Sequence, residues 1–506
     1  MYQLYWGDLH NHCSISYGHG SVDQALARAR QQLDFCTVTG HAFWPDMPTD
    51  RARYGEIIDY HTEGFARLAR NWSKLLEMQA AATTPGRFIA FPSYEWHSLK
   101  YGDHNVYGQG PDLALLDAAD LPALRARACA QGAIVIPHHI GYAAGYRGID
   151  WQHFRPEQSP FVEIYSLHGC SESESAPYPM LHDMGPRDAG STAEAGWDLG
   201  HCFGIIASTD HHSAYPGSHG DGRLGVFATA LTREAIWDAF LNRRVFAATG
   251  DRIDARLWVN DAWIGARIKA PDKRRVRIAV AGSDALARVE LLKNGRILER
   301  FFSKSTACEG REPADSRQRY RLRLTWGWGR KELPVRWQAT LKLTDGTITN
   351  VESCFSGPPV VAPIAQTGDA EIRDEEDLPH AIVEQTAITL AWRSTTQGNL
   401  SMRHATTQAL SLEVEAGESA CVVVEVNGQR YEHALAELTG GGRCHYLRGW
   451  LSEAIRIGPV VPLQECQVHA EVDDLPERAV DVYRLRAAQH NGQWAWLTPI
   501  WVESSR

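Results

Sequence analysis

Two histidines one residue apart open the chemistry of this chain. Gly7-Asp8-Leu9-His10-Asn11-His12 lies in a predicted strand over 4–12, and side chains two apart on a strand share a face. His10 and His12 can therefore grip one metal ion together. Asp8, on the same face, is placed to orient an imidazole from behind. Five more groups carry the same residue types. Thr39-Gly40-His41 ends a predicted strand over 33–39. Tyr94-Glu95-Trp96 offers a carboxylate, whose two oxygens can bridge two ions. Gly102-Asp103-His104-Asn105 offers either Asp103 or His104. Pro137-His138-His139 offers either histidine. Ser208-Thr209-Asp210-His211-His212 repeats the one-residue gap with Asp210 and His212, and leaves His211 a structural part. These N and O donors suit zinc, manganese or iron. Two or three such ions would make hydroxide from water at neutral pH and polarise a substrate oxygen. Asp8, Glu95 and Asp210 are the candidate catalytic carboxylates. His139, Arg147, His168 and Arg223 are the candidates to face a substrate.

The elements needed to position these groups are legible. Of 22 histidines, 16 precede residue 220, so the chemistry belongs to the first half. That half alternates short apolar runs with amphipathic helical stretches, a pattern of parallel strands and helices. His41, Glu95, His138 and Asp210 each follow an apolar run, where such folds carry their active sites. Beyond about residue 251 the texture changes. Asn294-Gly295, Asp345-Gly346, Asn427-Gly428 and Asn491-Gly492 signal hairpins between alternating strands. The expectation is an antiparallel β-sandwich region, with modules over 251–360 and 381–506. Residues 357–380, rich in proline and acid, read as a linker or exposed loop. The alternative is that the last strands, 482–485 and 494–502, complete the first sandwich. The tail's tryptophans (Trp326, Trp328, Trp494, Trp496) are expected in its core.

Composition narrows the partners. The net charge of -10 and the lack of a basic run argue against nucleic acid. No stretch supplies the ~20 apolar residues of a membrane span. The ten cysteines, Cys308 among them, are scattered without a Cys-x-x-Cys pair, which fits reduced thiols. A cytoplasmic protein acting on a small molecule is expected; the periplasm stays open, and the oligomeric state is not legible.

Together, the motifs resemble the PHP (polymerase and histidinol phosphatase) superfamily of metal-dependent hydrolases, over roughly residues 4–250. Asn105-Val106-Tyr107, Pro216-Gly217 and Thr249-Gly250 fit a bacterial branch with a β-rich tail. The resemblance implies an α/β fold, a distorted (β/α)7 barrel, with a site of two or three metals. It implies His10, His12 and Asp210 on the first metal, Glu95 as a bridge, and His41, His138 and His212 completing the set. Gly40 stands where the family has Asp, and Gly102-Asp103-His104-Asn105 departs from Gly-His-x-Asn, which leaves the third ion open. Phosphoester hydrolysis follows from the resemblance. Hydrolysis of a carboxylic ester, lactone or amide by the same site is the alternative, and a non-catalytic, metal-stabilised binding protein is a third. Chain expressed in metal-replete medium and measured by elemental analysis should carry stoichiometric transition metal; substoichiometric metal would contradict the ligand assignment.

Overall fold

The computed structural model describes residues 2–504 other than 178, 181–183, 271, 304–316, 332, 359–365, 367 and 402–404. Cys308 and eight residues of the expected 357–380 linker lie outside the described residues.

The first half contains β1 (Gln3–Asp8), α1 (Val22–Ala29), β2 (Phe35–Thr37), β3 (Gly40–Phe43), α2 (Arg51–Ala82), β4 (Ile89–Phe91), β5 (Ser93–Trp96) and β6 (His104–Tyr107). It continues with α3 (Leu121–Cys129), β7 (Ile134–Pro137), β8 (Phe161–Ser166), β9 (Gly169–Cys170), α4 (Ala193–Asp198), β10 (Gly204–Ala207), β11 (Arg223–Ala228), α5 (Arg233–Leu241) and β12 (Val245–Ala248). The strand expected over 4–12 ends at Asp8, and that over 33–39 breaks after Thr37. The first break places His10 and His12 just beyond β1, and the second places His41 in a new strand, β3. β2, β4, β7 and β10 are buried throughout, as strands covered on both faces must be. Leu9, Phe35, Ile89, Ile136, Phe161, Ile206 and Leu224 join Trp237 and Phe240 of α5 in one core.

The pairing is mixed. β1, β2 and β4 are parallel, as are β3 with β5 and β8 with β10. β5–β6, β6–β7, β1–β11 and β11–β12 are antiparallel. The seven residues between β5 and β6 are too few for a parallel crossover. The ladders gather the strands of the first half into three groups, a mixed α/β arrangement in place of the continuous parallel set that the sequence suggests.

The sheet of β1 does not stop at β12. Phe246, Ala247 and Ala248 pair with Leu497, Trp496 and Ala495. The strand Val480–Gln489 continues this sheet and pairs in turn with Leu286–Lys293. A second layer, Asp254–Val259, Arg274–Ala281 and Gln467–Asp474, shares the core of this extension. A separate eight-stranded sheet is built between Gln318 and Pro462, around Trp326, Trp337 and Trp392. Asn294-Gly295 and Asn427-Gly428 make tight turns, both residues at positive φ. Asp345-Gly346 does not turn. It is a bulge inside the strand Val335–Cys354, because flanking residues on both sides pair with the same neighbour.

The described part of 357–380 is not a free linker. Ser14 Oγ accepts from Ile372 N (2.8 Å), and Glu371 accepts from Val22 N (2.7 Å). Arg28 donates to Asp374 (2.7 Å) and to two carbonyls of the same segment. Acidic residues that read as solvated here meet the unpaired amides and arginine of α1. Among the described residues no helix is long and apolar enough to cross a membrane.

β12 takes its outer hydrogen bonds from residues 494–498, and Thr498 Oγ1 also accepts from Ile205 N (2.9 Å). Residues 1–250 expressed alone should therefore lack a cooperative thermal transition that the full chain shows by calorimetry. A sharp transition in the fragment would overturn this dependence.

Candidate metal centre

Two parallel segments set the heart of the site. Asp210 N donates to His10 O (2.7 Å), His12 N to His211 O (2.8 Å) and Ala214 N to His12 O (3.0 Å). Asn11 and His211 form a parallel bridge. The two alternations, His10-x-His12 and Asp210-x-His212, thus run in step. Asp210 has φ +52°, a left-handed conformation that Asp tolerates better than most residues. Asp8 locks the pair from below. Its carboxylate accepts from His10 N (3.0 Å), Thr209 N (3.1 Å), Thr209 Oγ1 (2.6 Å) and Gly217 N (2.8 Å). This corrects the expectation that Asp8 orients an imidazole: its oxygens are taken up by backbone and a hydroxyl. Burial pushes its carboxyl up, opposed by these four bonds.

The donor atoms converge. His10 Nε2 and His12 Nε2 are 3.1 Å apart, and Asp210 Oδ1 lies 3.3 and 3.0 Å from them. Ligands about 2.05 Å from one tetrahedral ion stand about 3.3 Å from each other, so this triangle has the edge length of a coordination shell. Glu95 Oε2 is 3.4 Å from His12 Nε2 and 2.8 Å from His41 Nδ1, yet makes no hydrogen bond among the described residues. Its other oxygen, Oε1, faces His138 Nε2 at 3.0 Å and His97 Nδ1 at 3.3 Å. One carboxylate thus looks into two nests of imidazoles. The β3–β5 ladder explains part of this, for His41 and Glu95 are register partners. His212 completes a further group with His12 and His41, and Glu95, Asp103, His138 and His139 form another. These sets suit two or three divalent ions.

The remaining expected residues divide. Asp103, not His104, faces the cluster: Asp103 Oδ2 lies 3.2 Å from His139 Nε2 and 2.7 Å from Arg147 Nε. His104 Nδ1 bonds Gly102 O (2.9 Å) and its ring lies against Trp96. Adjacent side chains on extended backbone face opposite sides, so only one of the two can enter the cluster. His138 meets Glu95, while His139 meets Asp103. His168 Nε2 reaches Asp210 Oδ2 at 3.0 Å. Arg147 sits at the edge of the cluster over Trp44. Arg223 is not brought in. It is fully buried and donates to Gly217 O (2.9 Å), Gln32 Oε1 (3.0 Å) and Ser353 O (3.4 Å). A buried arginine needs such acceptors, and they take up its Nε and one terminal nitrogen away from the cluster.

Three residues escaped the sequence reading. His97 lies 3.1 Å from His41 Nδ1 through Nε2. Its signal was present, since Glu95-x-His97 repeats the spacing of His10-x-His12. Glu163, within β8, places Oε2 3.1 Å from His10 Nδ1. Tyr17 stacks on His41 at 3.8 Å.

Charge is organised around the cluster. Burial raises the carboxyls of Glu95, Asp103 and Asp210, but their neighbours more than reverse this. His97, His41 and His138 hold Glu95 well below the usual range; Arg147 and His97 do so for Asp103, and His10 and His168 for Asp210. Burial keeps His41 and His138 neutral and pushes His212 down to about 3. Burial pushes Glu163 up to about 7. His10 is the exception among the imidazoles. Burial lowers it, but Asp210 and Glu163 raise it well above the usual value of 6.5.

A second convergence, of His219, Asp251 and Cys354, is of another kind. Asp251 accepts from His219 (2.6 Å), Asn491 (2.6 Å), Gln489 (2.8 Å) and Arg323 (3.2 Å). A guanidinium already supplies the positive charge there.

Residues 217–283 match the model of a protein family of unknown function (DUF3604). The matched segment starts at the Gly217 amide that Asp8 holds. An uncharacterized protein of Chlamydia pneumoniae is 28% identical over 180 residues, 32% of this chain and 29% of that protein. One of Chlamydia muridarum is 26% identical over 172 residues, 31% and 28% of the two chains. The chain thus spans less than a third of the length of these relatives. Among solved structures, a two-domain protein of Bacteroides vulgatus containing a predicted PHP-like metal-dependent phosphoesterase aligns over 58% of this chain and 79% of that one. Its identity is 16% and its TM-score 0.31.

Metal uptake at neutral pH should release protons. The metal-free fold favours a proton on His10, and an ion at Nε2 must displace it. Affinity should therefore rise with pH through the raised pKa of His10 and fall on acidification. Titration calorimetry in two buffers of different ionisation enthalpy would show buffer-dependent heat; identical heats would contradict the competition.

Proposed function

We propose that the chain is a metal-dependent hydrolase that holds two or three divalent ions on His10, His12, His41, Glu95, Asp103, His138, Asp210 and His212, with His97 added to the set. The triangle of His10, His12 and Asp210 donor atoms at 3.0–3.3 Å carries this reading. Lone pairs brought this close and kept from water repel each other unless a proton or a metal cation lies between them, and a divalent ion can serve all three donors at once. The absence of thiolate from the set favours zinc, manganese or iron over a soft-metal site. When bound, such ions supply a hydroxide at neutral pH and a Lewis acid for the substrate oxygen.

The chain's own residues do the rest. Glu95 presents one oxygen to each nest and so fixes their separation. The low carboxyls of Glu95, Asp103 and Asp210 stay ionised, and the neutral imidazoles keep their lone pairs free. Asp8 and Thr209 hold the two parallel segments in register. His168 stands on the far oxygen of Asp210 and, with His139 and Arg147, forms the side of the cluster offered to a substrate. His41 is packed under Tyr17, and burial of all ligands excludes bulk water.

A phosphoester is the substrate class we favour, because clustered divalent ions match a doubly charged phosphoryl group. One observation supports the second reading, a carboxylic ester, lactone or amide. Arg147 is the cation at the cluster, and Asp103 already pairs with it. A metal-loaded preparation tested on a panel of phosphomonoesters, phosphodiesters, lactones and esters should turn over phosphoesters. Turnover of lactones or esters alone would overturn that choice.

His12→Ala should lower bound metal and hydrolysis together, by at least about 100-fold in kcat/KM, given that losing even an outer partner of a ligand costs 10–100-fold. Unchanged turnover at reduced metal content would remove His12 from the site.

A further inference from the structure

Glu163 is a buried acid with no assigned task. It is 1% exposed, in the middle of β8, among apolar residues that pack the core. One oxygen, Oε2, lies 3.1 Å from His10 Nδ1; the other, Oε1, has no hydrogen-bond partner among the described residues. A carboxyl taken out of water for a single bond is costly as a structural device. The bond it makes is to the nitrogen of His10 that points away from the ligand triangle. His10 Nε2 is the atom 3.1 Å from His12 Nε2 and 3.3 Å from Asp210 Oδ1. A histidine has one proton to place when neutral, and an acceptor at Nδ1 sends it there, leaving Nε2 with its lone pair outward.

We propose that Glu163 is a positioning residue that fixes the tautomer and ring angle of His10, and thereby sets the affinity of one ion, that of the His10–His12–Asp210 triangle, ahead of the others. This rests on the metal-centre reading above. The asymmetry follows from the geometry. His10 belongs to the triangle, whereas His138, His139 and Asp103 bond to Glu95, to each other or to Arg147 and not to Glu163. Their own orientation comes from Glu95 and Arg147. Glu163 therefore tunes the first ion alone.

The experiment is zinc titration of the full-length metal-stripped chain against a chromophoric chelator, with 15N NMR of histidine-labelled protein. Wild type should show at least two zinc affinities and a His10 resonance of the Nδ1-protonated tautomer in the loaded state. Glu163→Ala should weaken the tighter ion by 10–100-fold, leave the weaker one within about twofold, and disperse the His10 signal. Glu163→Gln, which keeps an oxygen acceptor and the side chain's shape, should recover the tautomer and part of the affinity. Equal affinities in all three proteins would overturn the proposal and leave the metal centre standing. So would a uniform weakening of every ion, or a failure of Gln to recover anything. A wild-type chain that takes up no zinc would overturn both.

Discussion

The constraint on which this structure turns is the crowding of lone pairs without water. Six imidazoles (His10, His12, His41, His97, His138 and His212) and the carboxylates of Glu95, Asp103 and Asp210 lie against one another, all buried. Each would be costly there alone. Their neighbours keep three carboxylates ionised, and burial keeps His41, His138 and His212 neutral, protonation states in which donors can share a cation. Every nearby element is arranged to hold this convergence. Asp8 spends its four bonds on backbone and Thr209, so that two parallel segments cannot slip by a residue and turn their side chains away. Arg147 neutralises Asp103 from the outside.

The scaffold pays for this rigidity with long-range closure. β1 sits between β2 and β11, and the same sheet runs on through β12 into strands from the end of the chain. The Asp251 knot joins His219, Arg323 and the Gln489–Asn491 turn, three segments distant in sequence, through one carboxylate. The β-rich part thus has a mechanical role in the part that carries the histidine cluster.

Most residues of the cluster were legible because extended backbone makes a spacing of two into a shared face. His10, His12, Asp210 and His212 needed nothing more. The choice of Asp103 over His104 was not legible, since adjacent residues face opposite sides of a strand and sequence does not say which side meets the cluster. Glu163 was hidden by its surroundings: an acid inside an apolar strand looks the same whether it meets a solvent channel or an imidazole. Arg223 misled for the opposite reason, because a charge beside a motif suggests a ligand and gives no sign of buried carbonyls. In the fold, alternating apolar runs revealed strands and helices. The antiparallel pairs β5–β6 and β6–β7 required the short connection to be weighed against the barrel pattern. Asp345-Gly346 shows the limit of turn signals, since a bulge asks for the same φ as a hairpin. The acidic stretch 371–377 read as solvated because sequence does not reveal which amides are left unpaired on α1.

That last segment also fixes an order of events. Ser14 lies in the loop after His12, and it is bonded to Ile372, 358 positions further on. A ribosome making the chain from its N-terminus therefore delivers all the ligands long before it delivers the residues that fasten the loop beside them. The Trp494–Leu497 strand, which closes the sheet of β1, comes later still. For most of synthesis the histidines belong to an open, unfastened half, and contacts so distant in sequence form slowly. Closure of the scaffold around the cluster thus waits on the strands that are made last.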